Sequence, residues 1–487
     1  MNKSESDLKK SIFSRLLHAE SIKAAFVLIS SVLVIGCNPE RSGREQSSSI
    51  RHARHENKNS QSPRTFSIRV DGNKLKNERN ETVILRGVSI MGMEYTAIKG
   101  ALPENPYPTF KESTWSALKK WHINAIRIPL NESSYLGLHC VWPFSGPAFN
   151  KAGEIKNADP GNNYKERLKE VVERASREQL YVILDLHSTA PDDPLNAADG
   201  IAAQCAFEAN PLPDIYHSVE FWREIATAYK DYPNVLFELF NNPYIDEWPY
   251  FQGDHTAAWT ALRDGVTVNS YLPLWPTNKK HLWQSAGMQL LVDTVRKTGA
   301  KNVILQGGLS RSGDLEHWVA YKANDPLNQI AASWHAFPPQ DTKPGDKCYR
   351  FPAPWCDGRS FDFADNILAA NYPVIVSEFG EKTKPGVTEA PFTSALLPQL
   401  DARGISYLGW TFVALDTASE YELIKDNDGT PTDGYGEYVK SHYLCIALDT
   451  APCSSGKEDL SDVKSKSLIH APDEIITRGW SSLPTPF

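Results

Sequence analysis

The chain has 487 residues and a formal net charge of −8, with 41% hydrophobic and 23% charged residues. This composition is typical of soluble globular proteins, and the length suffices for several domains or for one α/β barrel with insertions. Because the N-terminal segment is basic, the remainder is more acidic than the whole chain, which argues against a nucleic-acid partner.

The N-terminus predicts an exported protein. Basic residues precede the apolar run AAFVLISSVLVIG at 24–36, which is short for a transmembrane helix and fits the hydrophobic region of a signal peptide. The run ends in VIGC, which resembles the lipobox of bacterial lipoproteins, where the cysteine is lipidated. The resemblance implies a signal peptide at 1–36, a membrane anchor at Cys37, and a location in the bacterial cell envelope, periplasmic or on the outer surface. The alternative is ordinary secretion with Cys37 unmodified.

Two polar segments flank a predicted folded domain at 65–455. Residues 37–64 are rich in Ser, Arg and Asn and contain too few apolar side chains to offset the entropy of ordering, so they are predicted to be a flexible linker. For the C-terminal tail at 456–487 the sequence predicts no role.

Six cysteines remain when Cys37 is set aside, and none has the paired C-x₂-C spacing of a zinc site. Export makes disulfides permissible, and six cysteines allow about fifteen pairings. Chain proximity favours the pairs Cys348–Cys356 and Cys445–Cys453, with Cys140–Cys205 as the long link.

Short apolar runs alternate with amphipathic helical patterns along the folded domain, which predicts a parallel sheet covered by helices. Eight such units favour a closed (β/α)₈ TIM barrel. The predicted strands are 83–90, 124–130, 180–187, 235–241, 302–308, 330–337, 373–380 and 406–413. Clear helical patterns occupy 164–179, 219–232, 287–300 and 435–448. A β-hairpin before the first strand is predicted to close the N-terminal end of the barrel, and a long loop follows the fourth strand.

Polar residues stand at the ends of these otherwise apolar runs. Because the C-terminal ends of barrel strands meet at one mouth, we expect their side chains to converge there. The residues at these strand ends are the polar Arg127, Asp185, His187, Asn241, Asn242, His335 and Glu378, with the aromatic Phe337 and Trp410. Core packing alone does not explain this pattern.

From about residue 66 to 415 these features resemble glycoside hydrolase family 5, the cellulase-like family of retaining β-glycanases. The shared motifs are VDGNKL…VILRGV, RIPL, ILDLH, N-x-P, WHAF, SEFG and the tryptophan of the eighth strand. The resemblance implies a β-linked glycan as substrate, no cofactor and no metal. It also implies two carboxyl groups about 5–5.5 Å apart, one a nucleophile and the other an acid and then a base.

The resemblance assigns roles to individual residues. Glu378 matches the nucleophile, Asn241 matches the residue that binds the sugar 2-hydroxyl, and Trp410 matches the aromatic platform beneath the sugar. Three further residues match positions around the sugar that is attacked, namely Arg127, His187 and His335.

Two positions depart from the family pattern. The family has Asn-Glu-Pro at the end of the fourth strand, and here Asn242 stands at the acid/base position. An amide neither donates a proton to a leaving alkoxide nor takes one from water, and such help is typically worth about 10²–10⁴-fold. Phe337 stands where the family usually has a tyrosine that hydrogen-bonds the nucleophile. Its ring can still pack in the site. Glu381, just beyond the seventh strand, is predicted to lie at the surface.

Two hypotheses follow. The first is a glycoside hydrolase-like protein with weak or altered catalysis, in which Asp246 or Glu247 of the long loop could replace the missing acid. The second is a glycan-binding pseudoenzyme tethered at the cell surface. The sequence carries no signal for a particular glycan or oligomeric state.

Overall fold

The fold is a closed parallel barrel of eight strands, seen here in a computed structural model. The structure describes residues 66–95, 110–141, 155–189, 210–248, 251, 253–270, 281–340, 342–355, 358–382, 386–414 and 421–448. The barrel strands, in order around the closed sheet, are β4 (Arg86–Ser89), β5 (Ala125–Asn131), β8 (Tyr181–Ser188), β9 (Val235–Glu238), β12 (Ile304–Gln306), β13 (Ile330–Ala336), β14 (Val374–Phe379) and β15 (Ser406–Gly409).

Each barrel strand overlaps one of the eight predicted runs, so the predicted TIM barrel is confirmed. The strands are buried on both faces, which is why they appear in the sequence as continuous apolar runs. The helices cover the outer face, and the four predicted from clear patterns are all present. The described helices are Glu112–Lys120, Glu132–Leu136, Tyr164–Arg177, Ser218–Tyr229, His255–Asp264, Met288–Lys297, Trp318–Tyr321, Arg359–Ala369, Pro391–Arg403 and Tyr435–Ala447.

A three-stranded antiparallel sheet precedes the barrel and extends the predicted hairpin by one strand. It consists of β1 (Arg69–Asp71), β2 (Lys74–Lys76) and β3 (Thr82–Val83). Val70 and Leu75 pair across β1 and β2 and pack into a cluster with buried side chains of the barrel strands. Gln329, just before β13, donates to the Val70 carbonyl and accepts from the Val70 N–H. The sheet therefore closes the N-terminal end of the barrel.

The connection after β9 is the predicted long loop, and it contains structure of its own. A 3₁₀ turn at Ile245–Glu247 is followed by the helix His255–Asp264 and by an antiparallel pair, β10 (Thr267–Ser270) and β11 (His281–Gln284). Trp259 of the helix is fully buried. A second antiparallel pair, β6 (His139–Val141) and β7 (Ile155–Asn157), lies after β5.

Several predictions fall outside the described residues, including the lipidation at Cys37 and the domain boundaries at 36, 64 and 455. Cys140, Cys348 and Cys445 are disulfide-bonded, but the remaining cysteines lie outside the described ranges, so the pairing stays a prediction. Among the described residues, no helix has the length and apolar character to cross a membrane.

Candidate active site

Arg127 of β5 is the centre of the polar cluster at the barrel mouth. Its guanidinium is fully buried and contacts three carboxylates, with 2.6 Å to Glu238, 2.6 Å to Glu378 and 2.9 Å to Asp185. It also donates to Asn241 Oδ1 at 3.0 Å. A planar guanidinium with several fixed donors suits this shared role, because each N–H points at a different acceptor.

Asp185 and Glu238 differ in pKa although both are fully buried beside the same guanidinium. Burial raises the pKa of Asp185 well above its ordinary value, despite the nearby positive charge of Arg127. Burial acts on Glu238 in the same direction, but the charge of Arg127 and several hydrogen bonds outweigh it and lower the pKa of Glu238. Asp185 is therefore the more easily protonated of these two groups.

Glu238 lies beneath the mouth and has no exposed surface. It accepts hydrogen bonds from the hydroxyls of Ser333 and Ser377 as well as from Arg127. Because these donors occupy its oxygens, Glu238 cannot approach a bond held in the cleft. It braces Arg127 and, through it, Glu378.

His187 and Asn241 continue the network toward Trp410. Burial lowers the pKa of His187 to about 3, so the imidazole is neutral at physiological pH. His187 Nδ1 lies 2.7 Å from Asp185, and His187 Nε2 lies 3.4 Å from Asn241 Nδ2. The neutral ring thus donates to Asp185 from Nδ1 and accepts from Asn241 at Nε2. The ring is parallel to that of half-buried Trp410, with centroids 5.5 Å apart.

Glu378 of β14 is held through one oxygen. Arg127 contacts Oε1, whereas among the described residues no hydrogen bond reaches Oε2, which lies 3.7 Å from His335 Nδ1. His335 and Glu378 are neighbours in the ladder between β13 and β14. One oxygen is therefore fixed and the other is available to a ligand, as a nucleophile requires.

Asn242 approaches the same ring nitrogen of His335 as Glu378 does. His335 Nδ1 is 2.7 Å from Asn242 Oδ1, and an amide oxygen only accepts, so His335 carries its proton on Nδ1 and donates it to Asn242. Asn242 and Glu378 are thus both close to the same ring nitrogen.

Phe337, two residues after His335, packs against Tyr421 and Gly380. It is half-buried and packs edge-on against Tyr421, with ring centroids 5.7 Å apart. A Cβ at Gly380 would lie 2.7 Å from the Phe337 ring, so glycine two residues after Glu378 makes room for it. A phenyl ring has no hydroxyl, so Phe337 offers no hydrogen bond to Glu378.

The loop carboxylates considered as replacement acids have other partners. Asp246 accepts from the backbone N–H and the hydroxyl of Ser310, and Glu247 forms a two-pronged pair with Arg311 at 3.0 Å for both contacts. Asp254 accepts from the N–H of Ala257 at the start of the helix His255–Asp264. In the described part of the chain, none of the three contacts Asn242, His335 or Glu378.

Sequence reasoning missed the supporting residues. Asp185 was noted at a strand end but given no role, although it bridges Arg127 and His187. Ser333 precedes His335 by two residues on the same strand face, so the period of two in a strand was a signal for it. Ser377 carried no comparable signal, because the register of β14 shifts between Val376 and Phe379.

The prediction that Glu381 lies at the surface is wrong. Its side chain is 2% exposed and accepts from the backbone N–H groups of Phe392 and Thr393. The carboxylate thus satisfies free donors in the first turn of the helix Pro391–Arg403, where negative charge is favourable.

One other cluster has the composition of a cation site. Glu132, Asp214 and His217 are buried and bring ligand atoms within 4.8 Å of one another, in the part of the chain that the structure describes. Asp214 accepts from the N–H of His217, and the Ser218 hydroxyl donates to Glu132. These contacts organise the start of the helix Ser218–Tyr229, so the cluster has a structural role.

The closed parallel barrel, with polar side chains gathered at the C-terminal ends of its strands, places this chain among (β/α)₈ proteins with a site at that face. A family model described as cellulase, glycosyl hydrolase family 5, matches residues 78–415, which is more than half of the chain. The chain belongs to this family.

Individual relatives are distant. Cellulase CelDZ1 of Thermoanaerobacterium sp. is 24% identical over 362 residues, covering 72% of this chain and 71% of that protein. Endoglucanase A of Clostridium longisporum is 25% identical over 274 residues, covering 51% of this chain and 45% of that protein. A crystal structure of a β-glucanase from Saccharophagus degradans aligns with a TM-score of 0.49 and 22% identity, covering 78% of this chain and 93% of that one. The chain thus spans less than half of some curated relatives.

Proposed function

We propose that this protein acts on β-linked glycans through Glu378 as nucleophile, with hydrolysis that is weak or altered because Asn242 replaces the acid/base carboxyl. The observation that carries the proposal is that Glu378 Oε2 and the Asn242 amide oxygen both lie near His335 Nδ1, at 3.7 Å and 2.7 Å. Membership of a glycosyl hydrolase family supports the substrate class.

The defect should appear in both half-reactions. Without an acid, a sugar leaving group must depart as an alkoxide, and without a base, water attacks the glycosyl-enzyme slowly. A glycoside with an activated aryl leaving group needs no acid, and azide needs no base. We therefore expect the protein to cleave a dinitrophenyl β-cellobioside with azide acceleration while leaving β-glucan almost intact.

The decisive variant is Asn242→Glu. Restoring the carboxyl should raise the rate of β-glucan hydrolysis by about 10²–10⁴-fold, as measured by reducing-sugar release. Glu378→Gln in the same background is the control, because it removes the nucleophile and should abolish the gain. Fast turnover of β-glucan by the unmodified protein would contradict the proposal.

The alternative function is glycan capture without cleavage. The retained sugar-facing groups Asn241, His187 and Trp410 favour it as the second candidate. Cellotetraose is a suitable probe, since a related β-glucanase from Saccharophagus degradans was crystallised with it. Binding of cellotetraose by calorimetry, together with no release from any activated glycoside, would favour capture over catalysis.

We also infer that the protein is a lipid-anchored component of the bacterial cell envelope, held through Cys37 and the polar segment at 37–64. The support is the basic segment, the apolar run and the VIGC ending in the sequence. Cys37→Ser should shift the protein from the membrane fraction to the soluble fraction on cell fractionation. The matched control is Ser42→Ala in the linker, which should leave the distribution unchanged. Unchanged membrane association of Cys37→Ser would exclude this anchor.

A further inference from the structure

The amide of Asn242 is oriented by its neighbour. Because His335 donates to Oδ1 at 2.7 Å, Nδ2 is the group left for other partners. Within the described residues Nδ2 makes no hydrogen bond, and Asn242 is partly exposed at the barrel mouth. Asn242 thus offers two N–H donors at the barrel mouth, and its amide oxygen lies near the same His335 nitrogen as Glu378 Oε2.

An N–H donor of this kind stabilises an oxyanion but cannot protonate it. Fixed donors aimed at developing negative charge contribute strongly in a site shielded from water. The neutral amide also removes the like-charge repulsion that an ionised glutamate at this position would exert on an anion.

We propose that Asn242 is a catalytic oxyanion-binding residue, and that the protein transfers a β-linked glycosyl group between weakly basic oxyanions, such as carboxylates, phosphate and phenolates. This inference rests on the proposed role of Glu378 as nucleophile and names the substrate class of the same site. The donor is a glycoside whose aglycone is an acid, and the acceptor is the anion of an acid.

Both steps balance without a proton. In the first, Glu378 forms a bond to the anomeric carbon, the bond from that carbon to the aglycone oxygen breaks, and the aglycone leaves as an anion beside the Asn242 N–H groups. In the second, an acceptor oxyanion at the same position forms a bond to the anomeric carbon, and the Glu378 carboxylate is released. The second step, run in reverse, is the first step with a different aglycone. By microscopic reversibility, the aglycone of the donor and the acceptor therefore belong to the same chemical class.

The first test uses aryl β-cellobiosides whose leaving groups range from strongly to weakly acidic phenols. We expect log kcat/KM of the unmodified protein to fall steeply as the pKa of the leaving group rises, and that of Asn242→Glu to fall much less. Asn242→Ala should lose on the order of 10–100-fold in kcat/KM with the dinitrophenyl donor, because a donor to the leaving oxygen is gone. Equal rates for Asn242→Ala and the unmodified protein would overturn the proposal.

The second test follows the acceptor. Acetate and phosphate, supplied separately, should accelerate turnover of the dinitrophenyl donor and give the β-glycosyl acetate or β-glycosyl phosphate, identified by NMR. Asn242→Glu should turn over the donor by hydrolysis with no acceleration by either anion. Products of hydrolysis alone from the unmodified protein, with no acceleration by either anion, would also overturn the proposal.

The matched control is Glu247→Gln, which removes one negative charge from the same loop without touching the amide. It should retain the leaving-group dependence and the anion acceleration of the unmodified protein, and a loss equal to that of Asn242→Ala would count against the specific role of Asn242. A different result is expected if Glu378 is not the nucleophile. In that case Glu378→Gln would leave the rate of aryl release unchanged, whichever residue stands at position 242.

Discussion

Asn242 adopts a backbone conformation that suits asparagine better than glutamate. Its φ is +53°, in the left-handed region, and it directly precedes Pro243. Asparagine is among the few non-glycine residues that enter this region readily, because its short polar side chain bonds locally. The residue that we propose weakens acid–base catalysis therefore also reduces backbone strain at the strand end.

This trade-off predicts a stability cost for the catalytic rescue. Asn242→Glu should lower the free energy of unfolding by about 1 kcal/mol, whereas Asn242→Asp should stay within about 0.5 kcal/mol of the unmodified protein. Both acids can accept from His335, so the pair isolates the backbone effect. Urea denaturation measures the difference. Equal stability of the glutamate and aspartate variants would show that the left-handed φ carries no such cost.

The turn Leu309–Ser312, which follows β12, holds the loop that begins at Asn242. Three successive residues of this turn have positive φ, with Ser310 at +48°, Arg311 at +59° and Ser312 at +63°. Each left-handed residue costs roughly 1–2 kcal/mol, so the surrounding contacts must stabilise the turn. The Arg311 N–H donates to the Pro243 carbonyl at 2.7 Å, and Asp246 accepts twice from Ser310. Two adjacent strand ends are thereby joined at the site.

These contacts predict unequal effects of two neighbouring carboxylates. Asp246→Ala should destabilise the protein by about 1–3 kcal/mol, because it removes two hydrogen bonds that hold the turn. In the Asn242→Glu background it should also lower kcat for β-glucan more than it raises KM, because the carboxyl at 242 is less well positioned. The comparison variant is Glu247→Gln, whose half-exposed ion pair is worth under about 1 kcal/mol. Equal effects of both variants on kcat would contradict the positioning role of Asp246.

At the scale of the whole molecule, the two ends of the barrel differ in chemical character. The N-terminal end is closed by the sheet β1–β3, where Ile68, Val70 and Leu75 pack against barrel residues such as Ile183 and Leu305. The C-terminal end instead holds buried charge, with Arg127 among Asp185, Glu238 and Glu378. Burying several carboxylates is unfavourable unless they are paired and hydrogen-bonded. The closed apolar end and the helices around the barrel support this arrangement.

The sequence was sufficient to predict the barrel and the residues that gather at its C-terminal end. Strands buried on both faces must be apolar throughout, so their runs were visible, and the polar residues that end them had to gather at one edge. Arg127, Asn241, Asn242, His335 and Glu378 were all identified in this way, and the structure brings them together.

Side-chain partners across the barrel depended on the tertiary structure. The sequence left open whether Asp246 or Glu247 supplies the missing acid, and only the fold brings both to Ser310 and Arg311, which lie 64 positions away in the chain. The burial of Glu381 and the hydrogen bonds from Ser333 and Ser377 to Glu238 also depended on the tertiary structure. Spacing along a chain predicts which residues share an edge, because strand geometry is periodic. It does not predict which acceptor a donor meets across a barrel, because that depends on loops and registers that bring distant segments together.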